Sequence, residues 1–100
     1  MTLTLPPFNE TVVLSLLAEH GELYGLQLVG LSDNALKRGT IYVTLARMQD
    51  KGFVRVLRDK HASEHAGMPR PRYKITAQGE RSLRAYQLAR EALRPQRIQG

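Results

Sequence analysis

The chain of 100 residues contains no cysteine and no tryptophan. Without cysteine there can be no disulfide, no thiolate metal site and no cysteine nucleophile, which fits a reducing compartment. Long apolar runs are missing too. None approaches the roughly 18–20 residues that cross a bilayer, and MTLTLPPFNE at the start has no basic stretch or apolar core of the secretory kind. The expectation is a cytoplasmic protein with no membrane partner. There are no internal repeats or low-complexity tracts. Ser15, Ser32, Ser63 and Ser82 sit in no nucleophile motif. No glycine loop cradles a phosphate, and no carboxylate pair fits acid–base work, so an enzyme is not expected.

One further absence is local. Residues 1–36 contain no Lys or Arg but four acids, Glu10, Glu19, Glu22 and Asp33. Residues 37–74 then hold ten cations against three acids, within a chain of net charge +6. Solubility does not require such segregation. A solvated basic surface would produce it, and so would a polyanionic partner. At 42% hydrophobic content, the chain reads as one small domain with a modest core, which leaves room for an oligomer.

Apolar spacing orders the elements. Pro6-Pro7 close a short arm, and Asn9 is a suitable N-cap for a first helix over residues 10–20. Phe8 before the cap and Val13 after it are placed to form a hydrophobic staple. A second helix over 22–31 carries Leu23, Leu26 and Val29. Gly25 and Gly30 weaken it by about 1 kcal/mol each, which points to a closely packed neighbour. A turn-rich SDNA precedes a third helix over 38–51, where Ile41, Leu45 and Met48 form an apolar stripe and Gly52 stops the helix. FVRVLRD (53–59) alternates like a strand, and RYKIT (72–76) is its partner. The loop between them, KHASEHAGMPRP, is too long for a tight turn. A last helix runs from an N-cap at Thr76 to about Arg94; Glu80 comes one place too late for a strict capping box. Residues 95–100 read as a loose tail. The fold class is mainly α with a small two-stranded β-ribbon, the winged helix-turn-helix. Residues 1–76 form the domain, with an arm at 1–8 and a wing at about 53–76, and residues 77–94 form a separate C-terminal helix.

The third helix presents a second stripe of Thr40, Thr44, Arg47 and Lys51, with Val43 beside it. An α-helix fits the major groove of DNA, where arginine reads guanine and a methyl-bearing side chain meets thymine. The same stripe would also serve as an ordinary solvated face. Lys37 and Arg38 stand at the positive end of the helix dipole, where two cations are unfavourable unless an anion joins them. Gly39 would let that anion approach the backbone. Alternatively, Asp33 or Glu22 neutralises the pair. Lys60, His61, Arg70, Arg72 and Lys74 lie on or beside the wing, able to follow a backbone or enter a minor groove. His61 and His65 are four apart, but they sit in a loop with only Glu64 nearby, so no metal site is expected and no cofactor is implied.

Three fragments, LLAEHGELYGLQL (16–28), RGTIYVTLARMQDKGFV (38–54) and PRPRYKITAQG (69–79), together resemble the PadR-type winged-helix transcription regulators over about residues 10–94. The resemblance implies a dimeric regulator, usually a repressor, on a palindromic operator in double-stranded DNA. Gly39, Thr40 and Tyr42 match the family's recognition-helix motif, and Arg70, Arg72 and Tyr73 match its wing motif. Tyr42 would either bond a phosphate or pack on the second helix. Met68 stands where an arginine is common, and Lys37 where a serine-like cap is common. The chain is short for the family, with one helix in place of a C-terminal helical domain. In short relatives that helix pairs with its counterpart in a second subunit. Leu83, Tyr86, Ala89 and Leu93 have the spacing to do so, and Leu88 and Ala92 widen the face. The same face would also cover the chain's own core. Some family members bind aromatic drugs through a tryptophan that this chain lacks, and no effector is assigned. The reading is therefore a homodimeric DNA-binding regulator of bacterial, nucleoid-associated type. The alternatives are a winged-helix module for protein contacts and, more distantly, an RNA binder, whose exposed clustered aromatics are missing.

Overall fold

A computed structural model describes residues 6–58 and 70–94. The first helix, α1 (Phe8–His20), starts two residues earlier than the apolar spacing predicts. Its cap is Pro7, whose carbonyl accepts the Thr11 amide at 3.0 Å and the Thr11 hydroxyl at 3.1 Å. Asn9 is therefore inside the helix, and Phe8 lies in its first turn, exposed, so no staple onto Val13 forms. Val13, Leu14 and Leu17 form the buried face, and Gly21, at φ +87°, ends the helix.

A short strand follows, β1 (Leu23–Tyr24), where a helix start was expected. Tyr24 donates its amide to Gln27 Oε1 at 2.8 Å and opens α2 (Gly25–Leu31). Ser32 then organises the turn. Its hydroxyl donates to the Val29 carbonyl at 2.8 Å and accepts the Leu36 amide at 2.9 Å. Asp33 and Asn34 adopt left-handed conformations, at φ +52° and +71°, which suit short polar side chains.

The next helix, α3 (Ile41–Asp50), is shorter than the 38–51 expected. The Lys37 carbonyl accepts the amides of Thr40 and Ile41, at 3.2 and 3.0 Å, so Lys37 and Arg38 occupy a preceding turn. The apolar stripe is as expected: Ile41, Leu45 and Met48 are all buried. Gly52, at φ +78°, closes a Schellman motif, with Phe53 N–H on Met48 O at 2.8 Å and Gly52 N–H on Gln49 O at 3.0 Å.

The strands β2 (Val54–Leu57) and β3 (Arg72–Ile75) pair antiparallel, with Val54 opposite Ile75 and Leu57 opposite Arg72. β1 adds to the other edge of β3, giving the order β1-β3-β2. The expected two-stranded ribbon is thus a three-stranded sheet. The last helix, α4 (Ala77–Ala92), is capped as expected: the Thr76 hydroxyl accepts the Gly79 amide at 3.0 Å. That hydroxyl donates to the Gly52 carbonyl, and Gln78 Nε2 donates to Lys51 O at 2.9 Å. These bonds tie the start of α4 to the end of α3. Gly79 has to be glycine, because a Cβ there would run into the Phe53 carbonyl.

Candidate nucleic-acid interface

Helix geometry decides which α3 residues face outward. Ile41, Leu45 and Met48 point to the core, so the opposite face carries Val43, Ala46, Arg47 and Asp50, all exposed. Val43 is 52% exposed, one of several large apolar side chains open to solvent. The expected reading face therefore needs correcting. Thr44 follows Ile41 by three residues and precedes Met48 by four, the spacing of one helix face. It is only 9% exposed and cannot lie against bases as placed. Ala46, absent from the expected stripe, takes its place on the open side.

Lys51 also leaves the stripe. It caps α3 and sends Nζ to both carboxylate oxygens of Glu10, 2.9 Å from each, with the Phe53 ring 5.9 Å away. Glu10 is 3% exposed while the Lys51 side chain is partly open to solvent, so this is an ion pair buried at its carboxylate end, linking α1 to the end of α3. Arg72 is likewise partly neutralised, its Nη1 lying 2.8 Å from Glu22 Oε1. Two of the cations in the basic segment are thus held by acids from the first 36 residues.

The turn before α3 stays open. Lys37, Arg38, Gly39 and Thr40 are all exposed. Among the described residues, a Cβ on Gly39 would meet nothing within 4 Å, so none of them crowds that backbone. Among the described residues, neither Asp33 nor Glu22 forms an ion pair with Lys37 or Arg38. Tyr42 packs on the second helix: a Cβ at Gly25 would come within 2.7 Å of its ring, so the close-packed glycine expected in α2 is Gly25. Among the described residues, Gly30 has no such neighbour. Tyr42 nonetheless stays half exposed, near Tyr73. Burial raises the Tyr73 phenol pKa above 10.0, the Tyr42 charge adds to this, and Arg58 opposes it. Tyr73 is therefore a neutral hydroxyl at physiological pH.

On the wing, Arg70 and Lys74 are exposed. Lys60, His61, His65 and Met68 lie outside the described residues. Arg55, not among the expected wing cations, sits directly across from Lys74. The clue was in the alternation, since Val54 and Val56 turn inward and leave Arg55 facing out.

The expected pairing face on the last helix divides in two. Leu83 is buried in the chain's own core, while Leu93 is 80% exposed and Leu88 65%. Tyr86 and Ala89 are half-buried. Phe8, Val12 and Leu16 of α1, Leu31 of α2, and Tyr86 and Arg90 of α4 surround a groove of about 260 Å³. Among the described residues, no helix is long and apolar enough to cross a membrane.

The sequence profile of the transcriptional regulator PadR-like family matches residues 13–85. The chain belongs to that family. Its members are transcription regulators, not enzymes. The fold agrees with solved PadR structures. A PadR family transcription regulator from hypervirulent Clostridium difficile superposes with a TM-score of 0.72 at 22% identity, covering 87% of this chain and 91% of that one. A PadR family regulator from Eggerthella lenta gives 0.69 at 28% identity, covering 84% and 72%. Bacillus subtilis PadR, solved in complex with operator DNA, gives 0.69 at 21% identity, covering 92% of this chain but 50% of that one. A search of curated proteins gives no match. With this family go a mainly α fold and a small antiparallel sheet, the winged helix-turn-helix.

Proposed function

We infer that this PadR-like regulator binds double-stranded DNA in a sequence-specific manner, as a homodimer acting as a repressor on a palindromic operator in the bacterial cytoplasm. The observation that carries the reading is the outward side of α3. Val43, Ala46 and Arg47 form a short exposed face, and the open turn at Lys37–Thr40 stands before it. The α3 helix enters the major groove, Arg47 reads a base edge, and Lys37 and Arg38 hold backbone phosphate beside the Gly39 backbone. Arg70 and Lys74 extend the positive field along the wing, with Arg72 sharing its charge with Glu22; Lys60 is counted as a further DNA contact on its charge and place in the sequence alone. The operator-bound state of the Bacillus subtilis relative supports the partner class. Residues 1–76 form the DNA-binding unit.

Leu88, Leu93, Tyr86 and Ala89 of residues 77–94, together with the groove beside Phe8 and Leu31, form the surface that a second copy covers. Two recognition helices then meet half-sites about one helical turn apart. The test is selection of bound fragments from a genomic DNA pool, followed by affinity measurements on the enriched sequence. Replacing Lys37 and Arg38 with Ser lowers the salt dependence and leaves the preferred sequence alone. Failure to enrich any sequence refutes the reading and favours a protein-contact module.

A further inference from the structure

The outward side of α3 carries one acid. Asp50 follows Ile41 by nine residues. At about 100° per residue, that sets it on the side of the helix opposite Ile41, which is buried. Asp50 is exposed and shares this side with Val43 and Ala46, and Arg47 lies three residues before it. Two features make a carboxylate unfavourable there. Asp50 is the last residue of α3, at the negative end of the helix dipole. The face it occupies is also the one turned towards a polyanion. Nor is its charge met within the chain. Lys51 sends its Nζ inward to Glu10. Among the described residues, Arg47 forms no ion pair with Asp50. A carboxylate so placed gains only when a hydrogen-bond donor meets it from outside.

The chemistry of the major groove identifies that donor. Cytosine presents its N4 amino group there and no acceptor. Adenine presents its N6 amino group beside the N7 acceptor, which repels a second carboxylate oxygen. Guanine and thymine present acceptors without a donor. Asp50 lies about 4.5 Å along the helix axis from Arg47. Stacked base pairs are about 3.4 Å apart, so the two side chains address the same or adjacent base pairs. We propose that Asp50 is a specificity-determining residue that accepts a hydrogen bond from the N4 amino group of a cytosine, at or one step from the base pair that Arg47 reads. This rests on the DNA-binding reading above and adds to it a base that the half-site contains. The carboxylate also rejects sequences that set guanine, thymine or a phosphate against it.

The experiment compares Asp50→Ala and Asp50→Asn with the unaltered protein. Affinities are read by fluorescence anisotropy, at one salt concentration, for the duplex selected from the genomic pool, its single-position variants and a scrambled duplex. Both variants should keep or raise the thermal midpoint, because a charge opposed to the helix dipole is gone. The unaltered protein should prefer cytosine over thymine or guanine at one position by about tenfold or more. Asp50→Ala should remove that preference, leave the other positions unchanged and bind the scrambled duplex more tightly. Asp50→Asn should prefer adenine there, since an amide accepts from N6 and donates to N7 together. A purely structural role for Asp50 would not exchange one base for another. If Asp50→Ala changes the affinity for every duplex by the same factor, Asp50 faces the backbone and the proposal falls. The preferences at the other positions then keep the DNA-binding reading intact. If Asp50→Asn still prefers cytosine, or if Asp50→Ala loses a preference for a different base, the proposal also falls. If the unaltered protein ranks no sequence above the scrambled duplex, both readings fall.

Discussion

Replacing Lys51 by Met should destabilise the protein much more than replacing both Lys51 and Glu10 by apolar residues. The Glu10 carboxylate lies almost wholly inside the protein, with the Lys51 ammonium 2.9 Å from each oxygen. At an effective dielectric near 20, two charges about 4 Å apart attract by about 4 kcal/mol. Removing the carboxylate from water costs several kcal/mol in the other direction, so the intact pair is close to neutral for stability. Breaking it is different, because one charge stays buried without its partner. Such losses run to about 3–5 kcal/mol. The Lys51 side chain is 42% exposed, which lets water approach the gap and brings the expected cost below that range, to about 2–3 kcal/mol. For a domain of this size, that lowers the thermal midpoint by about 10–20 °C. Glu10→Gln should cost about 1 kcal/mol, since the amide still hydrogen-bonds and the ammonium can turn to solvent. The double variant Glu10→Leu/Lys51→Met should recover most of the loss. Urea unfolding followed by circular dichroism, arranged as a double-mutant cycle, measures the coupling. If Lys51→Met costs under about 0.5 kcal/mol, within the range of an exposed ion pair, the pair does not hold the end of α3. The Schellman motif and the bonds from Thr76 and Gln78 would then suffice.

Other outcomes follow from the same geometry. Arg47→Ala should cost about 1–3 kcal/mol of DNA affinity and relax the preference at one operator position. Thr44→Val should leave that preference unchanged, and competition binding against single-position operator variants separates the two. Leu88→Asp with Leu93→Asp should yield monomers in sedimentation without loss of helix signal, because both side chains lie outside the core; a persisting dimer would move the interface. Gly79→Ala should cost about 3 kcal/mol or more in thermal unfolding, since backbone rather than a mobile side chain fills the space. Tyr73 should weaken the fold at high pH. Its pKa is raised on folding, so its contribution is complete below the unfolded value of 10.0 and is lost as pH climbs through the higher folded value. Tyr73→Phe should remove that part of the alkaline loss in a pH series of midpoints.

Much of this architecture could be read in the sequence, for physical reasons that differ by element. The Ile41, Leu45, Met48 stripe and its glycine stop depend on local periodicity and on one left-handed residue, both visible in a short window. The Thr76 cap is equally local. The strand at Leu23–Tyr24 was not visible, because two residues carry no period and its partner lies about 50 residues away in β3. The ion pairs of Glu10 with Lys51 and Glu22 with Arg72 span separations of 41 and 50 residues. No local pattern announces them, so the sequence could not tell which part of the segregated charge is internal and which is open to solvent or an external anion. Thr44 was misplaced because a polar residue at a core-facing spacing was grouped with polar neighbours on the flank. Leu83 fits either a partner's helix or the chain's own core, and only packing decides between them. The outward direction of Arg55 followed from strand alternation, but its opposition to Lys74 needed the register.

The most direct test of the account is the affinity of the intact protein for its selected duplex and for a scrambled duplex of equal length, across a salt series. Counterion release predicts a linear fall of log affinity with log salt for both, at about 0.9 per neutralised phosphate. The selected sequence should bind tighter than the scrambled one at every salt concentration. Equal affinities for the two duplexes, or an affinity for the selected duplex that does not change with salt, would contradict it.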